Sequence, residues 1–221
     1  MIKDKALIVL HVAAISDNFI CGPSYSVPGL VESLCACGVQ CALLSSSHVG
    51  LYTKPVPFTI FHGYRLGFRS LDSLDAPFRR PDLICLHSTY ILPHALISFQ
   101  ASTRGIPYLI TPRGGMTDGA QARKRWKKRF ANFLFFSRMV RKATAIHCLT
   151  EGEAKSARKW GRPVFVVGNG VTLPPEESLA HPGRNAGVKF LFLGRKDINN
   201  KGLDILVKGC AIAKSTLLQE R

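Results

Sequence analysis

The 221 residues, 46% hydrophobic and 20% charged, can fill one large domain, or one domain and part of another, and are too apolar for a disordered chain. Lys and Arg outnumber Asp and Glu by 30 to 14, a formal net charge of +16, which favours a polyanionic partner: nucleic acid, anionic lipid headgroups or a phosphorylated substrate. No run of about 18 or more apolar residues is present, so no membrane-spanning helix is expected.

Lys3 and Lys5 precede ALIVLHVAA, which has the charged flank and apolar core of a short signal peptide. His11 interrupts that run and no cleavage site precedes Asp17-Asn18. A buried first strand of a parallel sheet, residues 6–14, explains the same residues better. A loop then carries Cys21-Gly22-Pro23-Ser24-Tyr25-Ser26-Val27. A helix is expected from about Pro28 through Leu30, Val31, Leu34 and Cys35, stopping at Gly38. Val39–Leu44 follows as a second strand. Strand, glycine-bearing loop, helix and strand make a βαβ unit, whose loop sits where open α/β sheets place their ligands. Gly22 is a candidate cleft residue there, although a lone Gly-Pro also reads as an ordinary turn.

A strand is expected at Phe58–His62, in a stretch (51–81) that otherwise reads as a surface connection. Asp82–Leu86 reads as a buried strand ending in His87-Ser88-Thr89-Tyr90. A helix runs to about Thr103 and closes at Gly105, and Pro107–Ile110 forms a strand ending in Thr111-Pro112-Arg113-Gly114-Gly115-Met116. Two strands thus end in polar residues at one sheet edge. His87 is either a hydrogen-bonded core histidine or a cleft residue. Arg113 between Pro112 and a glycine pair is placed to meet phosphate or carboxylate bidentately, the alternative being an ion pair with a nearby acid. Gly114 belongs to the same candidate site.

Residues 119–142 read as one long helix. Arg123, Lys124, Arg125, Lys127, Lys128 and Arg129 surround Trp126; Arg138, Arg141 and Lys142 follow, and no acid occurs between 123 and 142. The aromatic run Phe130-Ala131-Asn132-Phe133-Leu134-Phe135-Phe136 lies between them. A basic amphipathic helix with aromatics suits a membrane surface or a nucleic-acid patch, while a helix packed on the sheet by one side gives the same pattern. No nucleic-acid-binding module signature accompanies it, so nucleic acid ranks last. Ala143–Leu149 is another strand. Thr150 then caps a helix with Glu153 at its third position, so Glu151 and Glu153 read as first-turn acids rather than as catalysts. Val164–Val167 is a strand leading to Gly168-Asn169-Gly170-Val171. Residues 172–187, with Pro174, Pro175, Pro182, Gly183 and Gly187, read as a linker.

After the linker comes KFLFLGRKDINNKGLD: an apolar strand at Phe190–Leu193, Gly194-Arg195, a polar loop, and Lys201-Gly202 opening a helix from Leu203 to about Leu218. Glycines, two cations and a helix N-terminus are the parts of an anion site. Seven cysteines show no CxxC pair, and Cys35, Cys37 and Cys41 lack the partner ligands of a zinc site; reduced, buried cysteines in a cytosolic protein are expected, with no bound metal.

Alternating apolar strands and helices define an α/β fold with a doubly wound parallel sheet, Rossmann-like, over residues 1–171, followed by a linker (172–187) and the start of a second domain (188–221). The ordered set Gly22, "DLICLHS", "TPRGG", "HCLTEGE", "GNGV" and "FLGRKDINNKGLDIL" resembles the family-four glycosyltransferases of the GT-B fold. That resemblance implies sugar transfer from a nucleotide-sugar to a saccharide or lipid-linked acceptor, as in polysaccharide or glycolipid synthesis, usually with retention and with no cofactor or essential metal. It implies an acceptor side formed by Gly22, His87, Arg113, Gly114 and Asn169, and a donor-diphosphate side at Arg195, Lys201 and Gly202. Many members carry a sugar-contacting histidine near the position of Arg113; this chain reads "PRG", as one subgroup does. The family's pair of glutamates, seven residues apart in the second domain, has no counterpart here. The expectation is a chain inactive by itself, completed by a second chain or truncated, cytoplasmic and associated with the inner face of a membrane through Arg123–Arg129. The alternative is a non-catalytic α/β module that binds anionic membrane or a partner chain through the same helix. An NAD-type Rossmann enzyme ranks below both, since the glycine fingerprint and the ribose-binding acid are missing.

Overall fold

The computed structural model describes residues 6–18, 22–48, 50–63, 70–122, 125–171, 173, 175–176, 191–194 and 202–219. The chain divides into two compact units, Met1–Thr172 and Leu173–Arg221.

The first unit is built on seven strands: β1 (Ile8–Ala13), β2 (Gln40–Ser45), β3 (Thr59–His62), β4 (Leu83–His87), β5 (Tyr108–Thr111), β6 (Ala145–Cys148) and β7 (Val164–Val166). They pair in the order β3-β2-β1-β4-β5-β6-β7, every neighbour parallel. The expected Rossmann-like α/β fold is therefore the observed one. Parallel strands need crossovers, among them helices α1 (Gly22–Ala36), α2 (Leu92–Thr103), α5 (Ser137–Lys142) and α6 (Glu151–Ala157), with the short α3 (Asp118–Ala122) and α4 (Arg125–Ala131) preceding α5. The chain runs from β1 outward to β2 and β3, then returns to place β4 on the other side of β1. That reversal opens a crevice at the carboxyl ends of β1 and β4.

Strand alternation divides the core between two faces. Ile8, Leu10 and Val12 join Ile84, Leu86, Tyr108, Ile110 and Ile146 under α2, α5 and α6. Val9 and Ala13 join Cys41, Leu43, Val27 and Val31 under α1. Fully burying each such aliphatic side chain is worth about 1.5–3 kcal/mol, so the sheet is a stiff frame for whatever its edge carries.

Several expectations need correction. Helix α1 starts at Gly22, six residues before the expected Pro28, and absorbs the loop. Proline in a first turn forfeits only an N–H that has no partner there, and Ser26 Oγ donates to Gly22 O at 2.9 Å, so Gly22-Pro23 opens a helix instead of a turn. The expected helix over 119–142 is α3, then α4, a π-helical turn (Asn132–Phe136) and α5. Of the cysteines expected to be buried, Cys41 and Cys148 are and Cys35 and Cys85 half are, whereas Cys37 and Cys210 are exposed.

In the second unit the expected strand at Phe190–Leu193 does not form over 191–193, where Leu191 and Leu193 are 90% and 91% exposed. A strand needs a neighbour for its backbone groups, and the described residues of this unit offer none. Helix α7 (Leu203–Gln219) follows Gly202, which has a φ of +61°, and Ile205, Val207 and Ile212 are exposed on it.

Candidate functional site

His11 of β1 and His87 of β4 both point to the α1 side, sharing the parity of Val9 and Ala13 on one strand and of Leu83 and Cys85 on the other. Their rings stack with centroids 5.3 Å apart and planes 10° from parallel. Nδ1 of His11 lies 3.0 Å from Nε2 of His87, and both residues are only 1% exposed. Arg113, just beyond β5, adds the next link: its Nη2 is 3.4 Å from His87 Nδ1 and its Nη1 donates to Ser26 Oγ at 2.7 Å. The guanidinium thus joins the first turns of α1 to the end of β4.

The protons in this chain follow from its donors. Arginine can only donate, so His87 Nδ1 accepts and its Nε2 carries the proton. His87 Nε2–H then donates to His11 Nδ1, which leaves the His11 proton on Nε2. That nitrogen is buried and has no hydrogen-bond partner among the described residues. An orphaned buried donor costs about 1–3 kcal/mol. Burial, reinforced by the charge of Arg113, lowers the His11 pKa from 6.5 to about 4. Burial, followed by the charges of His11, Arg113, His94 and His147, pushes His87 well below 6.5. Both rings are therefore neutral at pH 7, and neither is a strong base there.

Three non-glycine residues hold positive φ at this edge: Ser88 (85°), Tyr90 (61°) and Arg113 (51°). Such backbone is uncommon outside glycine and concentrates at functional sites. Each is held by its surroundings. Ser88 N donates to Thr111 O at 2.8 Å. The buried ring of His94, its pKa lowered to about 4 by burial, lies 3.3 Å from Ser88 O through Nδ1 and 2.9 Å from Ser46 Oγ through Nε2. After Arg113, Gly114 has a φ of +83°, and its N–H donates to Glu153 Oε1 at 2.5 Å. A Cβ on Gly115 would stand 2.1 Å from Thr89 Oγ1 and 3.1 Å from Pro112 O, so this turn needs its second glycine for space.

Glu153 departs from expectation. Thr150 Oγ1 caps α6 by accepting from Glu153 N at 3.2 Å, as its sequence indicates, but the Glu153 carboxylate is buried. Oε2 accepts from Leu149 N at 2.9 Å while Oε1 holds the Arg113-Gly114 turn, so this acid ties α6 to the arginine. Further along the edge, His147 Nε2 donates to Val167 O at 2.8 Å, and Nδ1 accepts from Thr111 Oγ1 at 3.2 Å.

Of the expected acceptor-side residues, the structure joins His87 and Arg113 directly and Gly22 through Ser26. A Cβ on Gly22 would meet no protein atom within 4 Å, so packing does not require glycine there. Asn169 is exposed beyond β7, three strands away from β4. Arg195, Lys201, Arg123 and Lys124 lie outside the described residues. Among the described residues no group of three His, Cys, Asp or Glu is placed to hold a metal ion. His11 is the member that sequence reasoning missed, and its signal was a lone polar residue in an otherwise apolar strand.

Residues 22–170 match the model of the glycosyl transferase 4-like domain, a span that begins with α1 and ends just past β7. The chain belongs to the glycosyl transferase 4-like family. No curated protein matches it. Similar solved structures include UDP-N-acetylglucosamine 2-epimerase from Rickettsia bellii, at 12% sequence identity and a TM-score of 0.45, covering 75% of this chain and 45% of that one. Anabaena Alr3699/HepE in complex with UDP and glucose is similar at 13% identity, with a TM-score of 0.45 and the same 75% and 45% coverage. The chain spans under half the length of either.

Proposed function

We propose that residues 1–171 form the acceptor side of a glycosyltransferase that moves a sugar from a nucleotide-sugar to a saccharide or lipid-linked acceptor. The observation that carries this reading is the His11–His87–Arg113 chain, set inside or next to the family-matched span at the sheet crevice. In this scheme Arg113 binds an anionic oxygen of the acceptor or of the leaving phosphate, positioned by His87, which His11 in turn holds. The bond from the sugar carbon to the diphosphate oxygen breaks as the acceptor hydroxyl oxygen bonds to that carbon, and the hydroxyl proton passes to the departing phosphate oxygen. The charge left on the diphosphate falls to Arg195, Lys201 and the N–H groups opening α7 beside Gly202. Neither ring serves as general base, since His11, with its pKa near 4, and His87, held well below 6.5, bind a proton poorly at neutral pH.

The test is titration of phosphorylated and neutral saccharides, and of UDP- and GDP-sugars, into the 221-residue chain. A saturable acceptor whose affinity falls about ten- to a hundredfold in Arg113→Ala is expected, the size of one charge-assisted hydrogen bond. The chain alone is expected to turn over no nucleotide-sugar, because Leu191 and Leu193 stand in solvent where the donor side would need a paired strand. Absence of any saccharide binding by the folded chain would overturn the reading, and robust turnover would overturn the division between acceptor and donor sides.

A further inference from the structure

The helical stretch from Arg125 to Lys142 has one face that the fold uses and one that it does not. Phe136, Met139 and Val140 are buried in the core, with Ala131 half-buried against it. On the unused side Trp126 is 72% exposed, Phe130 64% and Phe133 85%. Their spacing of four and three residues stacks them into one stripe along the helix. Single exposed apolar residues are ordinary, but three aromatic rings in line have no role in a monomer's packing.

The surroundings of the stripe say what would cover it. Arg125, Lys127, Arg129, Arg141 and Lys142 are exposed, and residues 119–150 contain no Asp or Glu. Among the described residues, no ion pair involves Arg125, Lys127, Arg129, Arg141 or Lys142. A hollow of about 480 Å³ opens beside α4, lined by Arg125, Lys128, Arg129 and Asn132, with Gln121, Ala122 and Asp118 completing it. Asp118 is itself neutralised by Lys159 at 2.8 Å. Where the stripe ends, an apolar groove of about 280 Å³ lies between α2 and the π-helical turn. Leu134, Phe135 and Phe99 form part of its lining, and the Arg138 guanidinium stands 5.3 Å above the Phe99 ring. Aromatic rings, an apolar groove and exposed cations thus adjoin on one helix.

The geometry points to a docking face for an anionic phospholipid surface. Trp126, Phe130 and Phe133 enter the boundary between headgroups and acyl chains, and the basic hollow receives a headgroup phosphate. A nucleic acid would use the same cations, and its bases would stack on the rings, but it gives no use to the apolar groove. Rings at headgroup depth flanked by cations match the two-part chemistry of a bilayer interface. This assignment does not depend on sugar transfer.

Vesicle sedimentation of the full 221-residue chain tests it, with phosphatidylcholine alone and with phosphatidylglycerol added. Binding only to the anionic vesicles is expected, weakening in high salt, with about a fivefold loss for each of Lys127→Ala, Arg129→Ala and Arg141→Ala. The combined Trp126→Ala, Phe130→Ala, Phe133→Ala variant should lose more than tenfold while keeping its circular dichroism. In a Trp160→Phe chain, which leaves Trp126 as its single tryptophan, the emission should shift to the blue on binding and be quenched by brominated acyl chains. A chain that stays in the supernatant overturns the proposal. So does equal binding to neutral vesicles, or a triple aromatic variant that binds as well as the parent. A concentration-dependent dimer abolished by the triple variant would assign the stripe to a second copy, and preferential capture of single-stranded RNA with no lipid binding would assign it to nucleic acid; either overturns the lipid assignment.

Discussion

The crevice edge and the basic helix spend positive charge in opposite ways. At the crevice Arg113 is half-buried, its two amino groups are directed at Ser26 and His87, and its turn is fastened to Glu153. On the helix, Arg125, Lys127, Arg129, Arg141 and Lys142 are in solvent, and no carboxylate is near them in sequence. The first arrangement fixes one cation against one set of atoms, as recognition of a particular molecule requires. The second spreads charge over a surface, which suits a partner without fixed geometry. Stability should therefore be sensitive at the edge and indifferent on the helix.

The sharpest way to break this contrast is Glu153→Ala. It leaves Gly114 N–H and Leu149 N–H without their acceptor, one buried carboxylate having served both. A loss of about 3 kcal/mol is expected in urea unfolding, from two orphaned donors at about 1–3 kcal/mol each with some relief by water. Glu153→Gln keeps one acceptor oxygen and should lose less. If Glu153→Ala unfolds at the same urea concentration as the parent, the edge is not the fastened structure described.

Acid is the next largest perturbation. His11 titrates near 4 when folded and near 6.5 when unfolded, so between those values the unfolded chain binds more protons. The contribution is present in full above about 6.5 and is lost as the pH falls toward 4. For His11 it amounts to about 3 kcal/mol, at roughly 1.4 kcal/mol per pH unit. His94, also lowered to about 4, adds to the same slope, and His87 acts in the same direction. Urea midpoints measured from pH 7 to pH 4.5 should fall steadily, and less steeply in His11→Asn. Arg113→Lys retains the charge that depresses His11, whereas Arg113→Ala removes it. Proton NMR should place the His11 pKa higher in the alanine variant than in the lysine variant.

These residues also mark what a sequence can and cannot disclose. The strands are legible because buried parallel strands are continuous apolar runs, and the family because its marks fall in order at strand ends. His87 and Arg113 stand at such ends and are found for that reason. His11 stands inside a strand, where its only signal is a break in the apolar run, and its partner is 76 residues away. Glu153 escapes for another reason: a capping box already accounts for it locally, so nothing in the sequence asks for the bond to Gly114, 39 residues distant. The start of α1 is misread because Gly-Pro signals a turn and a helix opening alike, and only packing decides. The strand expected at 190–193 does not form over 191–193, because an apolar run records a preference while pairing needs a neighbour.

The smallest expected effect bears hardest on the comparison. Trp126→Ala and Phe133→Ala remove large aromatic rings, and in a core such changes cost about 3–5 kcal/mol. Both rings are exposed here, at 72% and 85%, so each variant should unfold within about 0.5 kcal/mol of the parent. Met139→Ala, a few residues along the same stretch, removes a side chain that is 2% exposed and packed in the core, and should cost about 2–5 kcal/mol. Urea unfolding of the three variants, measured side by side, separates the two faces of one helix. Equal losses would mean that the aromatic rings are held by the protein in solution and that the stripe is core. A loss at Met139 alone would leave two rings whose presence on the surface the fold does not explain, which is the condition a docking face has to meet.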